Sequence, residues 1–299
     1  MYVRDQVIIL PDKIISYPVF DCHGSHTRFN INEYSKSFEN ISDDYKTDKQ
    51  DQQGKKDISN NTFRKLKYAC NTLLFLSDEK TNMNFKLGKM FKWRLNFITL
   101  TLPAPQNDIS DSTLLNNCLT PFLQHIRRKN DVHHYVWKAE PQDNGNLHFH
   151  IATDKYIYYE NVCRIWNSLL YPTGLIDDYR SKHHNSNPNS TDIHSIKNPG
   201  EIYAYFAKYF SKKYKTPRRE VKCRKWGCSH SLTYDKKFAF TNSDVQNNFF
   251  KWVDNYIEDL RKDFDYFTVY NVALSKYIDD LPYDVKESLL SWKARLNAL

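Results

Sequence analysis

Glycine is scarce in this chain, with 7 residues in 299. No Gly-rich phosphate loop or dinucleotide fingerprint can be assembled from so few, so neither a Walker-type nucleotide hydrolase nor a Rossmann dehydrogenase is indicated. Cysteine is also sparse. Its six copies stand at 22, 70, 118, 163, 223 and 228 without the spacing of a secreted disulfide framework, and a reducing cytoplasm is expected. No apolar run is long enough to cross a bilayer, and the first residues, Met1-Tyr2-Val3-Arg4-Asp5, lack a signal peptide's apolar stretch. A soluble, intracellular protein with no membrane partner is the expectation. Acidic residues are outnumbered, 35 against 43 Lys and Arg, for a formal charge of +8.

The hydrophobic share, 40%, is enough to bury a sizeable core. The positive charge is concentrated between Glu201 and Lys225, where nine Lys/Arg face two Glu. Tyr205, Phe206, Tyr209, Phe210, Tyr214 and Trp226 are interleaved with those cations. A solvated basic face has no need of such rings, whereas unstacked bases and their phosphates suit both groups, so nucleic acid is the expected partner.

Three regions can be separated. Residues 1–90 form an N-terminal extension with one β-like run, Gln6–Leu10, a polar loop at 42–60 and a helical pattern from Phe63 to Leu76. His23 and His26 lie three apart there, as a surface loop or a partial metal site.

The core spans 91–240. Phe97–Pro103 reads as a strand stopped by proline, and Leu114–Ile126 as a helix that Pro121 must kink or divide. His134–Glu140 and Leu147–Ala152 read as strands joined around Asp143-Asn144-Gly145-Asn146. Val162–Leu170 is a helix, Ile193–Ile196 a strand, and Pro199 opens a helix through Tyr214.

The C-terminal region, 241–299, carries two helical patterns, Val245–Leu260 with Asp244 as its cap and Val285–Leu296. The fold class is α+β: a central antiparallel sheet with helices on one face, compatible with a ferredoxin-like arrangement, plus N- and C-terminal helical extensions.

His148-Phe149-His150 places two imidazoles on one face of a strand and Phe149 on the other. A three-residue loop, Asn144-Gly145-Asn146, sets Gln142 opposite His148 and Glu140 opposite His150. A two-residue Asn-Gly loop shifts the pairing by one and sends Glu140 to the wrong face. On the first register a carboxylate and two imidazoles converge, a donor set suited to Mg²⁺ or Mn²⁺, with Gln142 the weaker candidate ligand. The alternative is a pair of strand histidines satisfied by ordinary hydrogen bonds.

In Tyr205–Lys212, helical spacing puts Tyr205, Lys208, Tyr209 and Lys212 on one face and Ile202, Phe206 and Phe210 toward another. A phenol with its ordinary pKa near 10 is a poor nucleophile at neutral pH. Neighbouring ammonium groups favour the phenolate and counter charge building on a phosphate under attack.

These segments, in this order, resemble the HUH endonucleases, and among them the two-tyrosine initiators of rolling-circle replication in small single-stranded DNA phages. Phe97-Ile98-Thr99-Leu100-Thr101 is similar to the family's first motif, His148-Phe149-His150 to its metal motif and Tyr205–Lys212 to its tyrosine motif. Lys225-Trp226-Gly227-Cys228-Ser229 resembles a Trp-Gly segment that follows. The likeness covers about residues 95–235.

It implies an RRM-like core and one divalent ion on Glu140, His148 and His150. It also implies attack on a DNA phosphate by Tyr205 or Tyr209, with Lys208 and Lys212 assisting, to leave a 5′-phosphotyrosine and a free 3′-hydroxyl. Lys213, Lys215, Arg218, Arg219, Arg224, Lys225 and Trp226 would hold the single-stranded or hairpin origin DNA, and a host polymerase and helicase would complete replication. The other readings are a transposase or relaxase of the same superfamily and a non-catalytic single-strand binder. Cys223, Cys228 and His230 are a further candidate, for zinc or for a structural loop.

Overall fold

The computed structural model describes residues 2–20, 60–84, 88–196, 219–233, 237–264 and 267–298. The expected linker at 42–60, His23 and His26, and the helix from Pro199 to Tyr214 fall outside them, apart from Asn60.

Two strands open the chain, β1 (Tyr2–Leu10) and β2 (Lys13–Phe20), and α1 (Asn60–Leu76) follows. A short antiparallel ribbon comes next, β3 (Lys80–Asn84) with β4 (Lys89–Trp93), in a stretch without clean alternation to mark it. The core then runs β5 (Asn96–Leu100), helix α2, β6 (Tyr135–Pro141), β7 (Leu147–Thr153), α3 (Tyr159–Leu170), α4 (Leu175–His183) and β8 (Thr191–Ser195). After it come β9 (Trp226–Cys228), α5 (Ser243–Tyr256), β10 (Arg261–Phe264), β11 (Phe267–Tyr270) and α6 (Tyr283–Asn297).

The central sheet has the order β8-β5-β7-β6-β9, every neighbouring pair antiparallel. Its first four members, numbered in chain order, stand 4-1-3-2 with a helix after the first and third. This is the split β-α-β-β-α-β arrangement of a ferredoxin-like fold.

Strand alternation divides the sheet's side chains cleanly. Ile98, Leu100, Trp137, Ala139, Leu147, Phe149 and Ile151 face α2 and α3 in one apolar cluster. Phe97, Val136 and Ala152 face the other way, into a cluster with α1, α5 and α6. The sequence had placed helices on one face only. Both are used, because apolar residues alternate with apolar ones at the Phe97 end of the strands. Toward the β6–β7 turn the second face is polar, and it carries the candidate site.

Pro121 neither kinks nor ends α2. The helix comprises Asp111–Thr113, a π-helical turn Leu114–Leu119, and Thr120–Lys129. The wider turn ends just before a residue that has no N–H to donate. Thr120 Oγ1 donates to the Leu115 carbonyl at 2.9 Å across it.

Asn242, rather than Asp244, caps α5, its side chain accepting from the N–H groups of Asp244 and Val245. Among the described residues no helix is long and apolar enough to cross a membrane. The two terminal regions share a sheet, β1-β2-β11-β10, with Ser16 opposite Thr268.

Candidate metal centre

The β6–β7 hairpin sets the site. Its loop is Asp143-Asn144-Gly145, one residue earlier than expected, closed by the Gln142 N–H donating to the Asn146 carbonyl at 2.8 Å. Gly145 takes φ +85° and donates to the Gln142 carbonyl at 3.0 Å, the left-handed last position of a three-residue hairpin. That position is the reason for glycine there.

The pairing therefore slides by two residues, to Glu140 opposite His148 and Lys138 opposite His150. A slide of two preserves the faces. Glu140, His148 and His150 remain together, and Lys138 joins them. Gln142, the weaker ligand candidate, stands at the mouth of the hairpin, two residues beyond Glu140.

Glu140 is the hub. Its Oε1 lies 2.8 Å from His148 Nε2 and 3.0 Å from His150 Nε2, while Oε2 accepts from Lys138 Nζ at 2.9 Å. Glu140, His150 and Lys138 are buried, at 4%, 6% and 3% exposure. Burial alone would raise the Glu140 carboxyl. Hydrogen bonds from His148 and His150 and the Lys138 ammonium outweigh it and hold the group far below the ordinary carboxylate range. Burial lowers the His150 imidazole despite its bond to Glu140, which favours the neutral ring.

From β5, Thr99 stands opposite His150, its Oγ1 3.2 Å from Nδ1. Phe97 flanks the same ring with centroids 5.2 Å apart. The first sequence motif thus supplies a support for the second. Lys138 escaped notice in the sequence, although its position two residues before Glu140 on the same strand face was the signal available.

Ligand atoms of Glu140, His148 and His150 all lie within 4.8 Å of one another, and no other such group occurs among the described residues. Two imidazole nitrogens and an ionised carboxylate oxygen are lone-pair donors, and their convergence requires positive charge among them, as protons or as a metal ion. The donor set therefore fits a divalent cation.

The second expected cluster does not gather. Cys228 lies in β9, Cys223 Sγ faces the Arg224 carbonyl, and burial raises both thiols, Cys223 to about 11. With His230 they form no metal-ligand group.

Tyr205, Lys208, Tyr209, Lys212, Lys213, Lys215 and Arg218 lie outside the described residues. Of the remaining basic candidates, Arg224 is exposed, donates to the Trp226 carbonyl, and has its guanidinium carbon 5.9 Å from the centre of the Trp137 ring. Lys225 pairs with Glu220 at 3.6 Å. Trp226 is half-buried on the core in β9.

Gly227 sits under the Trp137 indole, where an added Cβ would fall 2.8 Å from Nε1. The Trp-Gly segment is thus a sheet edge that only glycine permits so close to the ring.

Arg219 stands apart from the other cations. Its guanidinium is held bidentately by Asp111 at 2.8 Å and donates also to Gln106 and to the Gly145 and Glu220 carbonyls, so all its donor nitrogens are engaged within the protein. Asp111, buried at the start of α2, further accepts from the Lys222 N–H and from Gln106. This clasp ties the segment at 219–222 to the tip of the hairpin that carries the site.

The sequence model of one family of replication-associated proteins, the ORF2 family, matches residues 95–214. The chain is similar to that family across the whole β5–β8 core and the segment that follows it. No curated protein and no solved structure matches the chain.

Proposed function

We propose that the protein is a rolling-circle replication initiator of the HUH type, of the two-tyrosine class, which nicks and rejoins single-stranded DNA at an origin. The observation that carries the reading is the convergence of Glu140, His148 and His150 on one sheet face, inside the stretch similar to replication-associated proteins. A bound Mg²⁺ or Mn²⁺ would supply a Lewis acid for the scissile phosphate.

The chain's residues prepare that chemistry. Burial keeps His150 neutral, so that Nε2 offers a lone pair at physiological pH, and Thr99 fixes the ring through Nδ1. Lys138 holds Oε2 of Glu140 and leaves Oε1 facing the two imidazoles. Tyr205 or Tyr209 attacks phosphorus through its phenolate oxygen, favoured by Lys208 and Lys212. The P–O3′ bond breaks, the 3′-oxygen leaves as a hydroxyl after taking a proton, and the 5′-phosphate stays on tyrosine. One phosphoester replaces another, so the step is reversible without ATP. The second tyrosine allows cutting and rejoining after a full circle of synthesis by a host polymerase, with a partner helicase to unwind.

The test is incubation with labelled origin-like single-stranded DNA and Mn²⁺, resolved on a denaturing gel. A covalent adduct is expected, abolished by EDTA, by His148→Ala/His150→Ala and by Tyr205→Phe/Tyr209→Phe. DNA binding without any adduct on hairpin and single-strand substrates would overturn the reading in favour of a non-catalytic single-strand binder.

A further inference from the structure

The β3–β4 ribbon has no role in the chemistry above, and no third strand joins it among the described residues. A lone two-stranded ribbon is marginal in water. This one is held at its base, where Lys80 Nζ donates to the carbonyls of Arg94 and Asp154 at 2.7 and 2.6 Å and Trp93 Nε1 donates to Asn96.

Beyond the base it displays apolar side chains to solvent. Met83 and Met90 pair directly across the strands at 47% and 66% exposure, and Phe91, opposite Asn82, is 39% exposed. The protein has three methionines, and the two after Met1 are these. From Lys80 to Arg94 the sequence holds five cations (Lys80, Lys86, Lys89, Lys92 and Arg94) and no acid. Exposed Lys92 meets Glu79 at 2.8 Å, and Lys89 is exposed.

We infer that this ribbon is a DNA-binding arm that seats in a groove of duplex DNA flanking the nicked strand. Five cations without an acid match a polyanion. Exposed Met and Phe on a cationic strand pair suit apolar contact with base edges or a wedge between base steps, and Asn82 beside them is a base-edge reader. A two-stranded ribbon matches the width of the major groove, roughly 12 Å. Its anchor at Asp154 lies four residues along β7 from His150, about 13 Å at strand rise, or about four base steps. The inference rests on the proposed function for its substrate, because a nicking enzyme must grip the duplex beside the strand it cuts.

The test uses the intact protein in EDTA, with peroxide oxidation of Met83 and Met90 read by peptide mass spectrometry. A 20-base-pair duplex is expected to slow oxidation of both at least ~3-fold, while a 20-nucleotide single strand leaves the rates near those of free protein. In parallel, Lys89→Ala/Lys92→Ala should weaken duplex binding about 10-fold and lower its log–log salt slope by about 2, with the single-strand adduct unchanged.

Unchanged oxidation with duplex overturns the inference. So does equal protection by single strand, or protection by anionic phosphatidylserine vesicles or by raised protein concentration instead of duplex. Since no cleavage occurs in EDTA, protection by duplex from a protein that never forms an adduct keeps the arm and removes the nuclease. An adduct without protection does the reverse.

Discussion

Replacing Glu140 by leucine tests whether the candidate site is an electrostatic unit or a set of separate side chains. The substitution keeps the volume but removes the carboxylate that receives Lys138 Nζ at 2.9 Å and both imidazoles, in a place where Lys138 is 3% exposed. Taking one partner from a buried ion pair costs about 3–5 kcal/mol, because the remaining charge keeps its desolvation penalty. For a chain of this size that is a fall of roughly 10 °C in Tm. Replacing both partners, Lys138→Met with Glu140→Leu, removes the penalty along with the attraction, and the double variant should lie within about 1–2 kcal/mol of the parent. The coupling energy across the cycle should therefore be at least about 2 kcal/mol. Urea unfolding in EDTA measures all four proteins without a contribution from bound metal. Additive effects, or a single variant within about 1 kcal/mol of the parent, would refute a desolvated Lys138–Glu140 pair.

Thr99→Val should weaken Mn²⁺ binding by roughly 10–100-fold in calorimetry with little change in Tm, since it removes only the partner of His150 Nδ1; unaltered affinity would show that the hydroxyl does not orient the ring. Gly227→Ala drives a methyl to 2.8 Å from the Trp137 indole, and a loss of about 1–3 kcal/mol is expected in urea unfolding. Trp137→Phe should recover part of that loss, and its failure to do so would place the strain elsewhere. For Asp111, burial opposes ionisation but hydrogen bonds from Arg219, the Lys222 N–H and Gln106 prevail, and its carboxyl lies below the ordinary value. A carboxyl depressed in the fold stabilises above its unfolded value, near about 3.9, and loses that contribution as pH falls through the folded one. Arg219→Ala should thus destabilise strongly at pH 7, with the gap from the parent narrowing below about pH 4; a constant gap across that range would sink the charge argument.

Legibility followed the periodicities. His148-Phe149-His150 carries its face assignment in the alternation alone, and the split β-α-β-β-α-β order follows from strands and helices that each bear a clear period. The hairpin register was less readable, because Asp143-Asn144-Gly145-Asn146 offers several loops and only the positive φ of Gly145 selects one. That choice brought Lys138 into the site.

The clasp of Asp111, Gln106 and Arg219 was invisible for another reason. Its members are 113 residues apart at most and share no pattern; a basic residue in a basic block looks like a phosphate ligand until its acceptors are in view. The ribbon at Lys80–Trp93 gave no strand signal because both of its faces meet solvent, so nothing forces polar and apolar residues to alternate. Pro121 misled because a proline rule written for α-helices does not anticipate a π-helical turn before it.

The pairing of β2 with β11 has a consequence for the order of events during synthesis. Ser16 leaves the ribosome about 250 residues before its partner Thr268, an interval of roughly 12–50 s at ordinary elongation rates. Throughout that interval the second edge of β2 faces solvent unpaired, while every strand from β5 to β8 has already emerged with its helices. The central sheet can therefore assemble around its own hairpin first, and the terminal sheet closes over one end of it last. A nascent chain stalled before β11 would carry a finished core and an open strand edge, the kind of surface on which chains of the same sequence join to one another.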